Sequence, residues 1–239
     1  MSTLTTAAAR TRIKMCGLTR PQDVQAAVAA GVDAIGFVLY AASARAVSPE
    51  QAAELAAALP PFVTPVLLFV NLAPDLLAQA CALMPQALLQ FHGDESPAQC
   101  RQWTPAGQRF MRAARIPLGA AGADFDLVKY AHDYSDAQAI LLDAHVEGFG
   151  GGGKAFHWSL LPPSVNAHLV LSGGLTAANV GDGIAQLRPR CKTLAVDVSS
   201  GIEADAPGGG TLKGIKDPEK IHQFVAAVRA ADQRLAGIV

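Results

Sequence analysis

Charge and cysteine are both scarce in this chain of 239 residues. Asp, Glu, Lys and Arg together make up 16%, and 19 basic residues against 20 acidic ones give a net charge of −1. This balance provides no overall attraction to nucleic acid or anionic lipid, so neither is predicted as a partner. The hydrophobic fraction of 51% excludes intrinsic disorder and supplies enough material for a sizeable core.

The cysteines are Cys16, Cys81, Cys100 and Cys191, and they lie far apart in the sequence. Without a C-x-x-C pair or a histidine at zinc-ligand spacing, we expect no metal site. Structural disulfides are not expected either, which fits the reducing conditions of the cytoplasm.

Long apolar runs are also missing. Asp, Asn, Gly or Pro interrupts every stretch that approaches the roughly 18 residues needed to span a bilayer. The first residues lack the apolar core of a secretory signal. We therefore expect a soluble protein with a flexible N-terminal segment, residues 1–12, and one folded domain, residues 13–239.

Short runs rich in Val, Ile, Leu and Phe alternate with longer stretches of helical periodicity, which is typical of a parallel sheet. The eight predicted strands are Ile13–Cys16, Ala34–Leu39, Thr64–Val70, Ala87–Phe91, Arg109–Ala114, Ala139–Asp143, His168–Leu171 and Leu194–Val198. Prolines at first-turn positions predict helices that begin at Pro21, Pro49, Pro74, Pro97 and Pro218. Eight such units in one domain fit the size of a (β/α)₈ TIM barrel, typically ~250 residues. The sixth helix, around Trp158–Leu161, is expected to be short or irregular.

In a TIM barrel the functional side chains lie at the C-terminal ends of the strands and in the loops that follow. Almost every predicted strand ends next to a polar side chain, and we expect these to share one rim. They include Cys16, Arg45, His92, Arg112, Asp143 and Asp197.

The loops after the seventh and eighth strands are rich in glycine and serine. Gly173 and Gly174 follow one strand, and Ser200 and Gly201 follow the other. Barrels often bind phosphate at these two loops, where backbone N–H groups can approach the ligand closely. A helix predicted to begin at Thr176 would add its positive N-terminal end.

A second glycine-rich stretch, Gly148–Lys154, has two interpretations. It resembles a nucleotide-binding P-loop, but Ala155 stands where a hydroxyl should hold magnesium. We favour a mobile loop that closes over the rim and excludes water. A P-loop phosphotransferase stays open as an alternative.

Several segments together resemble the phosphoribosylanthranilate isomerase family over almost the whole chain. They are IKMCGLT, GFVLYAASAR, QFHGDE, LLD with the glycine-rich loop, LSGGLTAANV, VDVSSGIE and GIKD. The resemblance implies an Amadori rearrangement in tryptophan biosynthesis, with a small phosphosugar substrate and no cofactor or metal. Either a monomer or a homodimer is compatible with it.

The resemblance also implies roles for individual residues. Cys16 matches the general base and Asp143 the general acid, while Arg45 matches the arginine that holds the anthranilate carboxylate. His92 and Asp197 match positions that line the ribose and anthranilate part of the pocket. The phosphate positions are matched by Gly173, Gly174, Ser200 and Gly201.

Three departures from the family pattern are visible. His157 replaces an aspartate, Gly152 replaces a Thr or Ser, and the stretch 204–212 is longer than usual and is expected to form a flap beside the phosphate. An indole-glycerol-phosphate synthase, a ribulose-phosphate epimerase and a catalytically silent sugar-phosphate binding module are rival interpretations. The lysine–glutamate pair of the synthase and the metal ligands of the epimerase are not evident.

The implied reaction sets conditions on the two catalytic side chains. Cys16 must be available as a thiolate, whereas Asp143 must hold a proton near neutral pH. A free thiol has a pKa near ~8.5, so we expect the site to lower the pKa of Cys16, with Lys14 as a candidate cation. The orientation of Lys14 is left open by the sequence.

Overall fold

Eight parallel strands follow one another in chain order around a closed barrel in the computed structural model, which describes residues 10–118, 122, 124–145 and 161–237. The strands are β1 (Arg12–Cys16), β2 (Ala34–Val38), β3 (Thr64–Phe69), β4 (Leu88–Phe91), β5 (Arg109–Pro117), β6 (Ile140–His145), β7 (His168–Leu171) and β8 (Thr193–Val198). All eight predicted strands are present, and the predicted TIM barrel is confirmed.

The α-helices found in these ranges are α1 (Pro21–Ala29), α2 (Pro49–Ala56), α3 (Pro74–Leu83), α4 (Pro97–Trp103), α5 (Leu127–Asp133), α6 (Val180–Leu187) and α7 (Pro218–Leu235). Each of the five helices predicted from a proline begins at that proline, since a missing N–H costs nothing in a first turn. Capping boxes at Ser48 with Gln51 and at Ser96 with Gln99 fix two of these starts. The predicted sixth helix lies almost entirely outside the described residues.

Strand alternation sorts side chains between the barrel interior and the surrounding helices. Ile13 and Met15 belong to the large cluster that packs the strands against the helices, whereas Lys14 and Cys16 take the inward positions of β1. The barrel interior is filled by an apolar cluster of Val66, Met111, Ala113, Leu141 and Val170. The inward position of Lys14 settles the orientation that the sequence left open.

The N-terminal edge of the barrel differs slightly from the expected boundary. The first strand begins at Arg12 rather than Ile13. Thr11 is buried, and its backbone N–H and side-chain hydroxyl both donate to Asp232 of α7, at 2.9 and 2.6 Å. Residues 1–9 of the predicted flexible segment lie outside the described residues.

An antiparallel hairpin follows the barrel, in place of the flap expected over 204–212. Its strands are β9 (Glu203–Asp205) and β10 (Thr211–Lys216). The hairpin is anchored at its base, where Lys216 and Glu203 are register partners. It therefore carries two charged side chains to the underside of the loop after β8.

None of the helices within the described ranges is long and apolar enough to cross a membrane.

Candidate active site

A pocket opens at the C-terminal end of the barrel, and it brings together most of the predicted site residues. Cys16, Arg45, His92, Asp143, Asp197, Gly173, Gly174 and Ser200 all line it. Val38, Tyr40, Leu68 and Val70 supply an apolar wall on one side. The pocket thus combines ionisable groups, two glycine- and serine-rich loops and an apolar surface that an aromatic ring could contact.

A buried cluster of three ionisable groups forms one wall of the pocket. Nζ of Lys14 lies 2.9 Å from Oδ1 of Asp197, and the positive charge of Lys14 also acts on the Cys16 thiol. Each of these residues is at most 5% exposed. Because water is excluded, the charge on Lys14 acts strongly on both neighbours.

The electrostatics correct one expectation about Cys16. Burial raises the pKa of the thiol above its ordinary value, and Lys14 offsets that effect only in part. Asp197 acts in the same direction as burial, since its negative charge disfavours a neighbouring thiolate. The expectation that the site lowers the pKa of Cys16 is therefore wrong, although Lys14 is the cation that most strongly opposes the rise.

A second buried pair faces this cluster. Nε2 of His92 lies 3.0 Å from Oδ2 of Asp143, and Nδ1 of His92 lies 2.9 Å from the side-chain nitrogen of Gln90. An amide that donates to Nδ1 leaves the proton of a neutral imidazole on Nε2, directed at Asp143. Since the other carboxylate oxygen accepts from the backbone N–H of Ala144, the Asp143 side chain is held in one orientation.

Two glycines make room for the functional side chains. A Cβ on Gly36 would lie 2.8 Å from Sγ of Cys16 and 3.0 Å from Nζ of Lys14. A Cβ on Gly17 would lie 2.5 Å from Cδ of Arg45. The glycine after Cys16 therefore allows Arg45 to cross over the end of β1.

The Arg45 guanidinium is engaged by a residue that the sequence analysis did not single out. Its Nε donates to Oε1 of Glu203 at 2.6 Å, and its Nη2 donates to Oε2 at 2.9 Å. Glu203 is fully buried, and these hydrogen bonds help to lower its pKa to about 2. The available signal was an acidic residue that ends the VDVSSGIE segment, directly after the predicted phosphate loop.

The two predicted phosphate loops lie side by side in the structure. Gly173 and Gly174, with φ of 82° and 64°, turn the chain after β7. Gly201 lies behind the pocket, where a Cβ would approach the carbonyl oxygen of Leu175 to 1.9 Å. Its role is therefore the close packing of the two loops, while Ser200 faces the pocket.

The predicted helix start at Thr176 is wrong. The helix begins at Val180, and the backbone N–H of Thr176 donates to the side chain of Asn179 at 2.8 Å. Asn179 in turn donates to the carbonyl oxygen of Gly174 at 2.9 Å. This amide pair stabilises the loop after β7, and the loop rather than a helix end borders the pocket.

Contrary to the prediction, Arg112 does not lie at the rim of the pocket. It points away from the barrel interior and donates to the carbonyl oxygens of Phe91 and Gly93 at 2.9 and 2.8 Å. It also pairs with buried Glu95 at 3.2 Å. Arg112 therefore supports the loop that carries His92.

Within the ranges that the structure describes, no group of three His, Cys, Asp or Glu side chains is placed to hold a metal ion. The Gly148–Lys154 stretch, with its P-loop and mobile-loop interpretations, lies outside those ranges, as do His157 and Gly152.

Comparison with known proteins gives a consistent result. Relatives called N-(5'-phosphoribosyl)anthranilate isomerase occur in Methylibium petroleiphilum and Dechloromonas aromatica. The first is 59% identical over 95% of this chain and 98% of its own length. The second is 54% identical over 95% of this chain and 100% of its own length.

Solved structures agree with the sequence relatives. Phosphoribosyl anthranilate isomerase from Thermotoga maritima is 35% identical, with a TM-score of 0.76 over 92% of this chain and 99% of its own. A phosphoribosyl anthranilate isomerase in complex with reduced 1-(o-carboxyphenylamino)-1-deoxyribulose 5-phosphate is 31% identical, with a TM-score of 0.70. The family model described as N-(5'phosphoribosyl)anthranilate (PRA) isomerase matches residues 13–227, almost the whole barrel. The chain therefore belongs to the phosphoribosylanthranilate isomerase family.

Proposed function

We propose that this protein converts N-(5'-phosphoribosyl)anthranilate, an aminoaldose, into 1-(2-carboxyphenylamino)-1-deoxyribulose 5-phosphate, the Amadori rearrangement of tryptophan biosynthesis. One observation supports this most directly: Cys16 and Asp143, from strands β1 and β6, line the same pocket as the glycine- and serine-rich loops. A thiol and a carboxyl group can then act on one phosphorylated pentose.

The shape of the pocket favours one orientation of the substrate. The phosphate would lie against Gly173, Gly174 and Ser200, because backbone N–H groups at glycine turns suit an anion. The anthranilate carboxylate would lie at Arg45, the guanidinium of the opposite loop. The pentose then lies between Cys16 and Asp143, and the anthranilate ring contacts the apolar wall.

The first chemical step is acid catalysis by Asp143. The protonated carboxyl donates to the furanose ring oxygen, the bond from that oxygen to C1 breaks, and the nitrogen lone pair forms a C1=N Schiff base. His92 supports this role by position, since its Nε2 lies 3.0 Å from Oδ2 of Asp143 and holds the carboxyl group at the pocket.

The second step is base catalysis by Cys16. Its thiolate removes the proton from C2, and the electrons of that bond neutralise the iminium nitrogen to give an enolamine. A proton then adds at C1 and the hydroxyl proton at C2 leaves, which gives the aminoketose. Lys14 stabilises the thiolate by its positive charge, with a smaller contribution from Lys216.

The test is the loss of phosphoribosylanthranilate fluorescence on addition of purified protein. Catalysed decay is expected with the wild type and not with Cys16→Ala. A wild-type protein that binds a substrate analogue without turnover would instead be a silent sugar-phosphate binding module. Growth of a tryptophan auxotroph that lacks this step gives a second, independent readout.

We further propose that the protein acts in the cytoplasm, where its four cysteines would stay reduced. It needs a small phosphosugar as its only partner for catalysis, and this proposal is compatible with either a monomer or a homodimer. Gel filtration with light scattering distinguishes the two states.

A further inference from the structure

Two oppositely charged side chains lie directly behind Arg45 and take no part in the acid–base steps. The side chains of Glu203 in β9 and Lys216 in β10 are both 0% exposed, and Lys216 Nζ lies 3.3 Å from Glu203 Oε1. A protein interior tolerates such charges only when they are paired and hydrogen-bonded. Because Glu203 binds Arg45, a residue that lines the pocket, the pair can affect ligand binding as well as packing.

The first observation concerns how Glu203 holds Arg45. Its carboxylate takes the Nε and Nη2 hydrogens side-on, which uses one edge of the planar guanidinium. The remaining hydrogens, on Nη1 and Nη2, form a second edge that suits bidentate binding of another carboxylate. Glu203 is itself fixed by the backbone N–H of Gly214 at 2.8 Å and by the hydroxyl of Thr211 at 3.2 Å.

The second observation concerns charge. Arg45 and Glu203 cancel each other, so the pair alone would offer an anion little net attraction. Lys216 adds one positive charge, and its ammonium donates to the carbonyl oxygen of Ser199 at 2.9 Å as well as to Glu203. Ser199 donates in turn to the carbonyl oxygen of Cys16 at 3.0 Å. The cation is therefore held rigidly between the loop after β8 and the end of β1.

We propose that Glu203 and Lys216 are positioning residues for carboxylate recognition: Glu203 orients the free edge of Arg45 toward the pocket, and Lys216 keeps the three-residue cluster net positive. The proposal rests on the proposed function, in which Arg45 binds the anthranilate carboxylate. It assigns substrate selectivity to the hairpin that follows the barrel, in addition to the barrel itself.

This arrangement makes carboxylate binding sensitive to alkaline pH. Burial lowers the pKa of Lys216 to about 8, against the opposing effect of Glu203. The other charged or titratable groups around it are Arg45, Cys16, Asp23 and Arg20. Asp23 accepts the backbone N–H of Lys216, and Arg20 donates to its carbonyl oxygen at 3.3 Å.

The test compares two ligands, reduced 1-(o-carboxyphenylamino)-1-deoxyribulose 5-phosphate and the same compound without the ring carboxylate. In Glu203→Gln and in Lys216→Met, the Kd of the carboxylated ligand should rise by about 10-fold or more, the usual effect of losing an interaction with a charged group. The Kd of the other ligand should change by less than about 3-fold. Lys213→Met, an exposed lysine of the same strand, is the matched control and should change neither Kd.

A double-variant cycle separates positioning from general damage. If Glu203 acts through Arg45, Glu203→Gln should add no further loss of carboxylate binding in an Arg45→Met background. An equal loss for both ligands, or additive effects in the cycle, would overturn the proposal. Thermal melts accompany each variant, since removal of one member of a buried charge pair can prevent folding.

The wild type provides a test that needs no variant at the buried positions. Between pH 7 and 9 the Kd of the carboxylated ligand should rise relative to that of the other ligand, and in Lys216→Met this difference should stay flat. A flat difference in the wild type would contradict the proposal. Carboxylate-selective binding without any turnover would support these roles and count against the proposed reaction.

Discussion

Lys14 and Asp197 form an ion pair of 2.9 Å in which both side chains are about 95% buried, and the ammonium of that pair also contacts the Cys16 thiol. One cation is therefore shared between a carboxylate and the proposed catalytic base. The fraction of Cys16 present as thiolate therefore depends on two opposing effects: Lys14 lowers the pKa of the thiol, and Asp197 raises it.

Removal of Lys14 should reduce kcat more than it raises KM. In Lys14→Met the burial that raises the pKa of Cys16 is no longer opposed, so kcat near pH 8 should fall by about 10-fold or more. Steady-state fluorescence assays across pH measure the effect. Asp197→Asn provides a control of opposite sign for the pH profile, because it removes a charge that raises the pKa of Cys16.

The wild-type kcat should increase with pH between 7 and 9. The pKa of Cys16 lies above its ordinary value, so only a small fraction of the thiol is ionised at neutral pH, and that fraction grows about tenfold per pH unit below the pKa. Saturating substrate keeps the binding effects of Lys216 out of the measurement. A kcat that is constant over this range would show that ionisation of Cys16 does not limit the reaction.

Added side chains at two glycines should impair different kinetic constants. Gly36→Ala should lower kcat by about tenfold or more, because its Cβ would displace Cys16 and Lys14. Gly17→Ala should raise KM, since its Cβ would strike Arg45. Gly31→Ala is the control for Gly17→Ala: it shares a positive φ but meets no atom within 4 Å, so it should lower Tm without changing KM.

The link between Thr11 and Asp232 should stabilise the fold without affecting catalysis. Asp232→Asn weakens two hydrogen bonds and the ion pair with Arg188, and it should lower the free energy of unfolding by about 1–3 kcal/mol. Chemical denaturation measures the difference, with the exposed Gln233→Ala as control. Unchanged stability would show that the N-terminal anchor contributes little.

The same carboxylate predicts a sign for the acid dependence of stability. The pKa of Asp232 is lowered in the folded state by its partners Thr11 and Arg188. Its stabilising contribution is therefore complete above the unfolded-state value of ~3.9 and is lost as the pH falls through the folded-state pKa. The stability gap between wild type and Asp232→Asn should shrink on acidification.

Local features of the sequence predicted most of the fold. Strand formation and proline-initiated helix starts are governed by residues that are neighbours in the sequence. All eight strands and five helix starts could therefore be predicted from the sequence. The start of α6 is the exception: the sequence predicts it at Thr176, whereas the helix begins at Val180. The side chain of Asn179 accepts the Thr176 N–H, so this residue belongs to a loop that precedes the helix.

The parts of the site that the sequence missed depend on distant contacts. Glu203 pairs with Arg45, which is 158 residues away in the sequence. Lys216 reaches the same carboxylate because the register of the hairpin places it opposite Glu203. The shift in the pKa of Cys16 depends on how deeply strand β1 is buried and on where Asp197 lies. Neither quantity is encoded in a local pattern.

The central claim is that Cys16 and Asp143 act on the same pentose as base and acid. Its most direct test is the turnover of phosphoribosylanthranilate by Cys16→Ala and Asp143→Ala, with substrate at saturation and chemistry rate-limiting. Each variant should lose about 10²–10⁴-fold in kcat, the range for removal of a general acid or base, while it still binds the reduced product analogue. Wild-type kcat in either variant would contradict the account.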